Sequence, residues 1–222
     1  MIQIRYDLHV HSRYSDCSTL RPQTILKTAI RRGLDGIAVV DHPGIAGAKA
    51  VAKENKDPDF EVIVGAELQT DKGHVLLYYL NEDISSRNFF EVVDAARAQG
   101  ALISLAHPFK RVPSLRFRSP LDDVRGKIDA IECFNGRSYL RENRKADAEA
   151  DRFSLAKTGG SDSHFSFEIG SGATIFDGDL RKAIVGRKTA VQGFSATGPL
   201  GEALSVIIKI KNRFLPANLH KN

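Results

Sequence analysis

The chain predicts a closed or nearly closed (β/α) barrel, and three observations support that fold class. Apolar runs of strand length alternate with helix-period segments along most of the 222 residues. There are six or seven such runs. Nearly every one ends in a polar side chain able to do chemistry, which suits a barrel whose strand ends form one ring. An open doubly wound sheet is the alternative, but it gathers its site at a single switch point.

Taken in order, Ile2-Gln3-Ile4-Arg5-Tyr6 alternates like a strand and runs into Asp7-Leu8-His9-Val10-His11, so side chains 7, 9 and 11 are expected on one face. Ser12 to Leu20 reads as a loop, Pro22 as a first helical residue, and Ile25, Leu26, Ala29 and Ile30 as one helix face stopped by Gly33. Gly36 to Val40 is a continuous apolar run ending in Asp41-His42, the mark of a strand buried on both faces. A helix over 44–55 leads to the strand Phe60 to Val64 and then Glu67; His74 to Leu80 is the next strand. A helix over 87–99 precedes Ala101 to Leu105, which ends at Ala106-His107-Pro108. Further helices are expected near 119–126, 138–153 and 179–186. Strands are expected at Asp129 to Asn135, at Leu155 to Thr158 before Gly159-Gly160-Ser161-Asp162-Ser163-His164, and at Gly172 to Phe176 and Thr189 to Val191. The last helix, 199–214, places Leu200, Leu204, Ile207, Ile210 and Phe214 on one stripe. Packing of that stripe on the barrel is expected in preference to a membrane surface. The whole of 1–222 reads as one domain, with 196–222 a C-terminal helix and tail packed on the barrel.

Composition is that of an ordinary globular chain, 42% hydrophobic and 27% charged, and no apolar run approaches the length of a membrane span. Met1 leads straight into a strand, so a cytoplasmic location is expected. Two cysteines, Cys17 and Cys133, are too few for a disulfide framework, and Cys17 is read as structural or incidental. The net charge of +5 is concentrated: residues 110–145 hold ten Lys and Arg against five Asp and Glu. An anionic substrate is the inference.

Seven histidines occur, at 9, 11, 42, 74, 107, 164 and 220, and all but His220 fall at a strand edge. Asp16, Glu67 and Asp162 stand in matching loops. In a parallel barrel these positions converge, so a polynuclear metal site is expected; imidazoles and carboxylates without a thiolate suit zinc, manganese or iron. Asp7 and Asp41, each near a candidate ligand, are expected to fix a histidine ring through its second nitrogen, with capping of a strand or turn as the alternative. Lys110 and Arg111 follow His107-Pro108-Phe109, and Asn135 and Arg137 follow Glu132, so these four are expected to bind substrate phosphate.

The ordered set Asp7-x-His9-x-His11, Asp16, Asp41-His42, Glu67, His74, Ala106-His107-Pro108, Glu132-x-x-Asn135 and Ser161-Asp162-Ser163-His164 resembles the PHP (polymerase and histidinol phosphatase) superfamily of metal-dependent phosphoesterases. The resemblance covers about residues 5–195 and implies a distorted (β/α)7 barrel of α/β class, with the active site at the C-terminal ends of the strands. It implies two or three divalent ions. One would be held by His9, His11, Glu67 and Asp162, a second by Glu67 with His74 and His107, and a third by Asp16, His42 and His164. His74 stands at the start of its strand, a placement the resemblance associates with relatives of the replicative polymerase domain; other members use the strand's end, where this chain has Leu80.

Hydrolysis of a small phosphomonoester, such as a nucleotide or a sugar or amino-alcohol phosphate, is the activity expected of such a site, with Glu67 and Asp162 holding the ions and either a metal or a protonated His42 or His164 assisting the leaving oxygen. Trimming of RNA or DNA ends is the enzymatic alternative, with 110–145 as the backbone track. A non-catalytic RNA-processing subunit is the alternative from another class.

Overall fold

The protein is described by a computed structural model covering residues 3–194 and 199–214. It is an α/β fold in which a nine-stranded sheet curls into a nearly closed barrel. The strands are β1 (Ile4–Val10), β2 (Gly36–Val39), β3 (Glu61–Thr70), β4 (Gly73–Tyr78), β5 (Leu102–Leu105), β6 (Ala130–Asn135), β7 (Ala156–Gly160), β8 (Gly172–Phe176) and β9 (Ala190–Gly193). The helices are α1 (Pro22–Arg31), α2 (Ala46–Glu54), α3 (Phe89–Ala98), α4 (Leu140–Phe153), α5 (Leu180–Val185) and α6 (Pro199–Phe214). The sheet order is β7-β6-β5-β4-β3-β2-β1-β8-β9.

The expected strand-helix alternation is met along most of the chain, with two departures. The helix expected near 119–126 is only a 3-10 turn, Leu121–Asp123. It is bounded by Pro120, whose ring cannot donate, and by Gly126. The second departure matters for the site. β4 runs antiparallel to both β3 and β5, whereas β1-β2, β2-β3, β5-β6 and β6-β7 are parallel. A short turn joins β3 directly to β4 with no crossover helix, so the start of β4 lies beside the ends of its neighbours.

The core is layered as the sequence pattern requires. Leu8, Ala38, Ile63, Leu76, Tyr78, Leu102, Ala130 and Ala156, contributed by seven strands, fill the space the sheet encloses. Leu180, Ala183 and Ile184 of α5 join them beside Tyr6 and Phe176, plugging the end opposite the strand termini that carry the histidines. Outside the sheet, Ile25, Leu26 and Ala29 of α1 and Ala48 and Val51 of α2 pack on Ile37 and Val39. Phe89, Val92, Val93 and Ala96 of α3 pack with Ala146 and Ala150 of α4 over β4 to β6.

Helix α6 departs from expectation. Leu204, Ile207 and Ile210 face solvent, while Gly201 and Ser205 are buried. The helix therefore rests on its small-residue face, where Ser205 accepts a hydrogen bond from Arg137 Nη1. Leu200 and Phe214 belong to the same expectation, but their side chains lie outside the described residues, as does His220.

Closure between β1 and β7 runs through the segment just beyond β7. His11 N donates to Ser163 O at 3.0 Å, and Ser163 N donates to His9 O at 3.2 Å. Gly160 permits this approach, since a Cβ there would overlap the Cβ and backbone nitrogen of His9. Neither neighbour is the free end of a flexible side chain, so the backbone itself would have to yield. Gly160→Ala is therefore expected to lower stability by about 1–3 kcal/mol, read as a shifted urea midpoint with an unaltered slope. An unchanged midpoint would show that closure is looser than the contact implies.

Candidate metal centre

Glu67 sits at the middle of the site. It is buried, and five imidazole nitrogens lie within 3.3 Å of its two oxygens. Oε1 meets His74 Nδ1 at 2.7 Å and His107 Nε2 at 3.0 Å. Oε2 meets His42 Nε2 at 3.2 Å and the Nε2 atoms of His9 and His11 at 3.3 Å each. β1, β2 and β5 deliver their side chains at or just past their C-terminal ends, β3 delivers Glu67 beyond the stretch that pairs with β2, and β4, running the other way, delivers His74 from its start. The position of His74 thus follows from strand direction.

Asp162, whose backbone is left-handed with φ 55°, adds Oδ1 at 3.7 Å from His9 Nε2 and 3.5 Å from His11 Nε2. His107 also has positive φ, at 29°. Non-glycine residues held in such conformations mark places where surrounding structure overrides local preference, often at functional sites.

The donor set fits divalent cations on two grounds. Ligand atoms bound tetrahedrally about 2.0–2.1 Å from one ion lie roughly 3.3 Å from each other. His9 Nε2 and His11 Nε2 are 3.1 Å apart, both are 3.3 Å from Glu67 Oε2, and both are 3.5–3.7 Å from Asp162 Oδ1. The second ground is proton accounting. His42 Nδ1 faces Glu67 O at 3.1 Å, His107 Nδ1 faces Leu115 O at 3.0 Å, and His164 Nδ1 faces Asp162 O at 2.8 Å. A carbonyl only accepts, so each Nδ1 carries hydrogen, and in a neutral ring Nε2 then bears a lone pair. The lone pair on His42, whose pKa burial lowers to about 4, is aimed at a carboxylate and is repelled by it unless a cation lies between them. On His74 the buried Nε2 has no hydrogen-bond partner among the described residues, and Nδ1 is the atom turned to Glu67.

Four overlapping groups have donor atoms within 4.8 Å of one another: His9-His11-Glu67, His9-His107-Asp162, His11-Asp162-His164 and Glu67-His74-His107. They bring together seven of the nine expected ligands. His42 lies beside them through Glu67. Asp16 is exposed and joins none of the four groups, and His164 Nε2 instead meets Cys17 Sγ at 3.0 Å. The triad of Asp16, His42 and His164 is thus not gathered as the others are.

Charge balance follows from burial. Burial opposes ionisation of Glu67, but His42, His74 and His9 outweigh it and hold its pKa well below the usual carboxylate range. Asp162 is likewise lowered, with Lys110 and His9 overcoming burial. His42 is pushed down to about 4 by burial, and His164 falls well below the ordinary histidine value through burial and the neighbouring His11 and Arg137. Both shifts favour the neutral ring, the form in which an imidazole can ligate a metal.

Several positioning residues differ from expectation. Asp7 touches no ring: its carboxylate accepts from Ser161 N at 2.8 Å, Gly170 N at 2.7 Å and His9 N at 3.2 Å. A register irregularity between Asp7 and Val10 breaks the strict alternation that placed side chains 7, 9 and 11 together. Asp41 also touches no ring but holds the Oγ atoms of Ser12 and Ser15, and Ser15 Oγ is 3.4 Å from His11 Nδ1. The ring-orienting carboxylate is Glu132, which accepts from His9 Nδ1 at 2.7 Å through one oxygen and from His107 N at 2.7 Å and Asn135 Nδ2 at 3.1 Å through the other. A charged residue inside the apolar run Ala130 to Phe134 was the available signal, since such a carboxylate must find partners.

Of the four expected phosphate-binding residues, Lys110 lies at the centre, with Nζ 3.1 Å from Asp162 Oδ2. Asn135 is buried and spends its amide on Glu132 and Asp162. Arg111 is exposed beside the centre, its backbone N held by Glu142. Arg137 is buried and turned away: Nε and Nη2 donate to the two oxygens of Glu168 at 3.0 and 2.8 Å, and Nη1 donates to Ser205 of α6 at 2.8 Å. Glu168 in turn accepts from His164 N at 2.8 Å, so this pair shapes the ligand loop.

Two outcomes follow. Glu132→Gln replaces one acceptor with a donor that faces donors, and metal affinity is expected to fall about 10–100-fold, measured by competition with a chelator; undiminished affinity would remove Glu132 from its orienting role. Arg137→Ala takes from the buried Glu168 carboxylate the guanidinium that offsets its charge, so a loss of roughly 3–5 kcal/mol in unfolding free energy is expected. A stable Arg137→Ala protein with only a raised KM would restore the phosphate-binding role.

The PHP domain family model matches residues 7–146, and a PHP-associated family model matches residues 141–187. An uncharacterized protein of Methanocaldococcus jannaschii is 30% identical over 156 residues, covering 63% of this chain and 85% of that protein. A 5'-3' exoribonuclease of Haemophilus influenzae is 36% identical over 67 residues, 30% of this chain and 24% of its own length. Among solved structures, a two-domain protein from Bacteroides vulgatus, described as containing a predicted PHP-like metal-dependent phosphoesterase, superposes with a TM-score of 0.73 at 21% identity. That match covers 87% of this chain, which spans only 65% of the longer protein. With a family model matching well over half of its length and the family's ordered histidines and carboxylates converging on Glu67, the chain belongs to the PHP domain family.

Proposed function

We propose that the protein hydrolyses a small phosphomonoester, such as a nucleotide or a sugar or amino-alcohol phosphate, with two or three divalent ions held by His9, His11, His42, Glu67, His74, His107, Asp162 and His164. The observation that carries this reading is the convergence of five imidazole nitrogens on the two oxygens of Glu67. Divalent ions bound there would acidify a water and offset charge on the phosphoryl oxygens.

The chain's own residues supply the rest. Glu132, Ser15 and the carbonyls of Glu67, Leu115 and Asp162 fix the histidine rings through Nδ1, so the Nε2 atoms are preset. Lys110, 3.1 Å from Asp162, is the cation that in this reading donates hydrogen bonds to a phosphate oxygen. Neutral His42, with Nδ1–H on Glu67 O, offers its Nε2 lone pair to an ion.

End-trimming of RNA or DNA is the second reading. Its support is the stretch shared with the Haemophilus influenzae exoribonuclease, although that covers less than a third of this chain. A non-catalytic subunit would have no need of so complete a donor set. No helix among the described residues is long and apolar enough to cross a membrane.

The purified protein, stripped of metal and resupplied with manganese, zinc or iron, is expected to release phosphate from p-nitrophenyl phosphate or a nucleotide monophosphate. Asp162→Ala is expected to lower kcat at least about 100-fold and to reduce bound metal measured by elemental analysis. Near wild-type turnover in Asp162→Ala would sink the assignment, and salt-sensitive activity confined to oligonucleotides would establish the second reading.

A further inference from the structure

A cavity of about 830 Å³ opens next to the metal centre without containing any of its ligands. One wall is Pro108, Phe109, Arg111 and the segment Arg116 to Pro120, and the other is Arg141, Glu142 and Lys145. The first wall follows the C-terminal end of β5, and the second is the first turns of α4, which follow β6. Both therefore lie at the barrel end that carries the ligands. Continuity with the centre is direct: Lys110 reaches Asp162, and the next residue, Arg111, lines the cavity.

Five cations line this space, Arg111, Arg116, Arg118, Arg141 and Lys145, against the single carboxylate of Glu142. That carboxylate is already engaged, accepting from Arg111 N through one oxygen and Tyr139 N through the other, both at 3.0 Å. Arg118 donates to the carbonyls of Thr70 and Asp71, and Lys145 stands 4.4 Å over the ring of Phe109; both contacts place charge without neutralising it. None of the five pairs with a carboxylate among the described residues. Like charges gathered in a concave space raise the local potential and attract anions. The N-terminal turn of α4 adds to the same sign.

We infer that the cavity seats a second phosphate group, so that the preferred substrate is at least doubly phosphorylated, one phosphate at the metal centre and another among Arg111, Arg116, Arg141 and Lys145. The inference rests on the phosphoesterase reading above and names its substrate class. A small bisphosphate and the 5′ end of a short oligonucleotide both present this chemistry.

Kinetics on two substrate pairs separate the sources: a hexose 6-phosphate with its 1,6-bisphosphate, and a 5′-mononucleotide with a 5′-phosphorylated dinucleotide. In the wild type, kcat/KM is expected to favour the doubly phosphorylated member of at least one pair. In the double variant Arg116→Ser/Arg141→Ser, whose side chains are both exposed, that preference is expected to fall at least about tenfold. The pair that shows the preference identifies the source. A ratio of one in the wild type, or an unchanged preference in the variant, overturns the inference. Should no ester be hydrolysed, the catalytic reading fails alone, and equilibrium binding of the hexose bisphosphate to the two proteins decides the cavity: tenfold weaker binding by the variant supports it, and equal binding overturns it.

Discussion

The buried carboxylate of Asp7 holds the first strand to the last part of the barrel, and the site depends on that junction. Its two oxygens accept three backbone N–H groups, from His9, Ser161 and Gly170. Each of those donors would otherwise be left without a partner inside the protein. With Asp7 fully buried, desolvation outweighs the hydrogen bonds and raises its pKa to about 6. A charged or nearly charged group in such a place is tolerated because it satisfies so much backbone at once. The same junction sets His9 and His11 against Asp162, so barrel closure and assembly of the metal centre are one structural event.

Much of this was legible in the sequence, and the reasons for success and failure are physical. Buried parallel strands leave an apolar signature, and a histidine or carboxylate at the end of such a run has few other reasons to be there. That logic found His9, His11, Glu67, His107, Asp162 and His164. It did not explain His74, which stands at the wrong end of its strand until the antiparallel direction of β4 is known. Asp16, in a loop whose path is fixed by tertiary contacts, joins none of the four groups of donor atoms. Arg137 misled for a similar reason: a cation close to motif residues is equally suited to phosphate or to a buried carboxylate, and the sequence gives no sign that Glu168 occupies that place. The stripe on α6 misled because hydrophobic periodicity records which residues are apolar and says nothing of which face finds a partner.

The histidines also differ in how they are held. Four orienting groups are parts of the main chain or side chains immobilised elsewhere, as Glu132 is by His107 N and Asn135. Rings fixed in this way have little conformational entropy left to lose when an ion arrives. Lys110 and the arginines beyond it extend the same organisation outward, from buried donors to a basic rim.

The turn between β3 and β4 has a consequence for the variation the chain can accept. Glu67 and His74 belong to one hairpin, with Gln69 paired to His74 and Thr70 to Gly73 across it. Thr70 Oγ1 closes the turn on Gly73 O at 2.7 Å, and the backbone of Phe117 occupies the space a side chain at Gly73 would need. Inserting or deleting one residue here would shift the pairing by one and turn Val75 or Gly73 toward the ligands in place of His74. A surface loop can change length without moving a ligand, whereas one residue more or less in this turn moves His74.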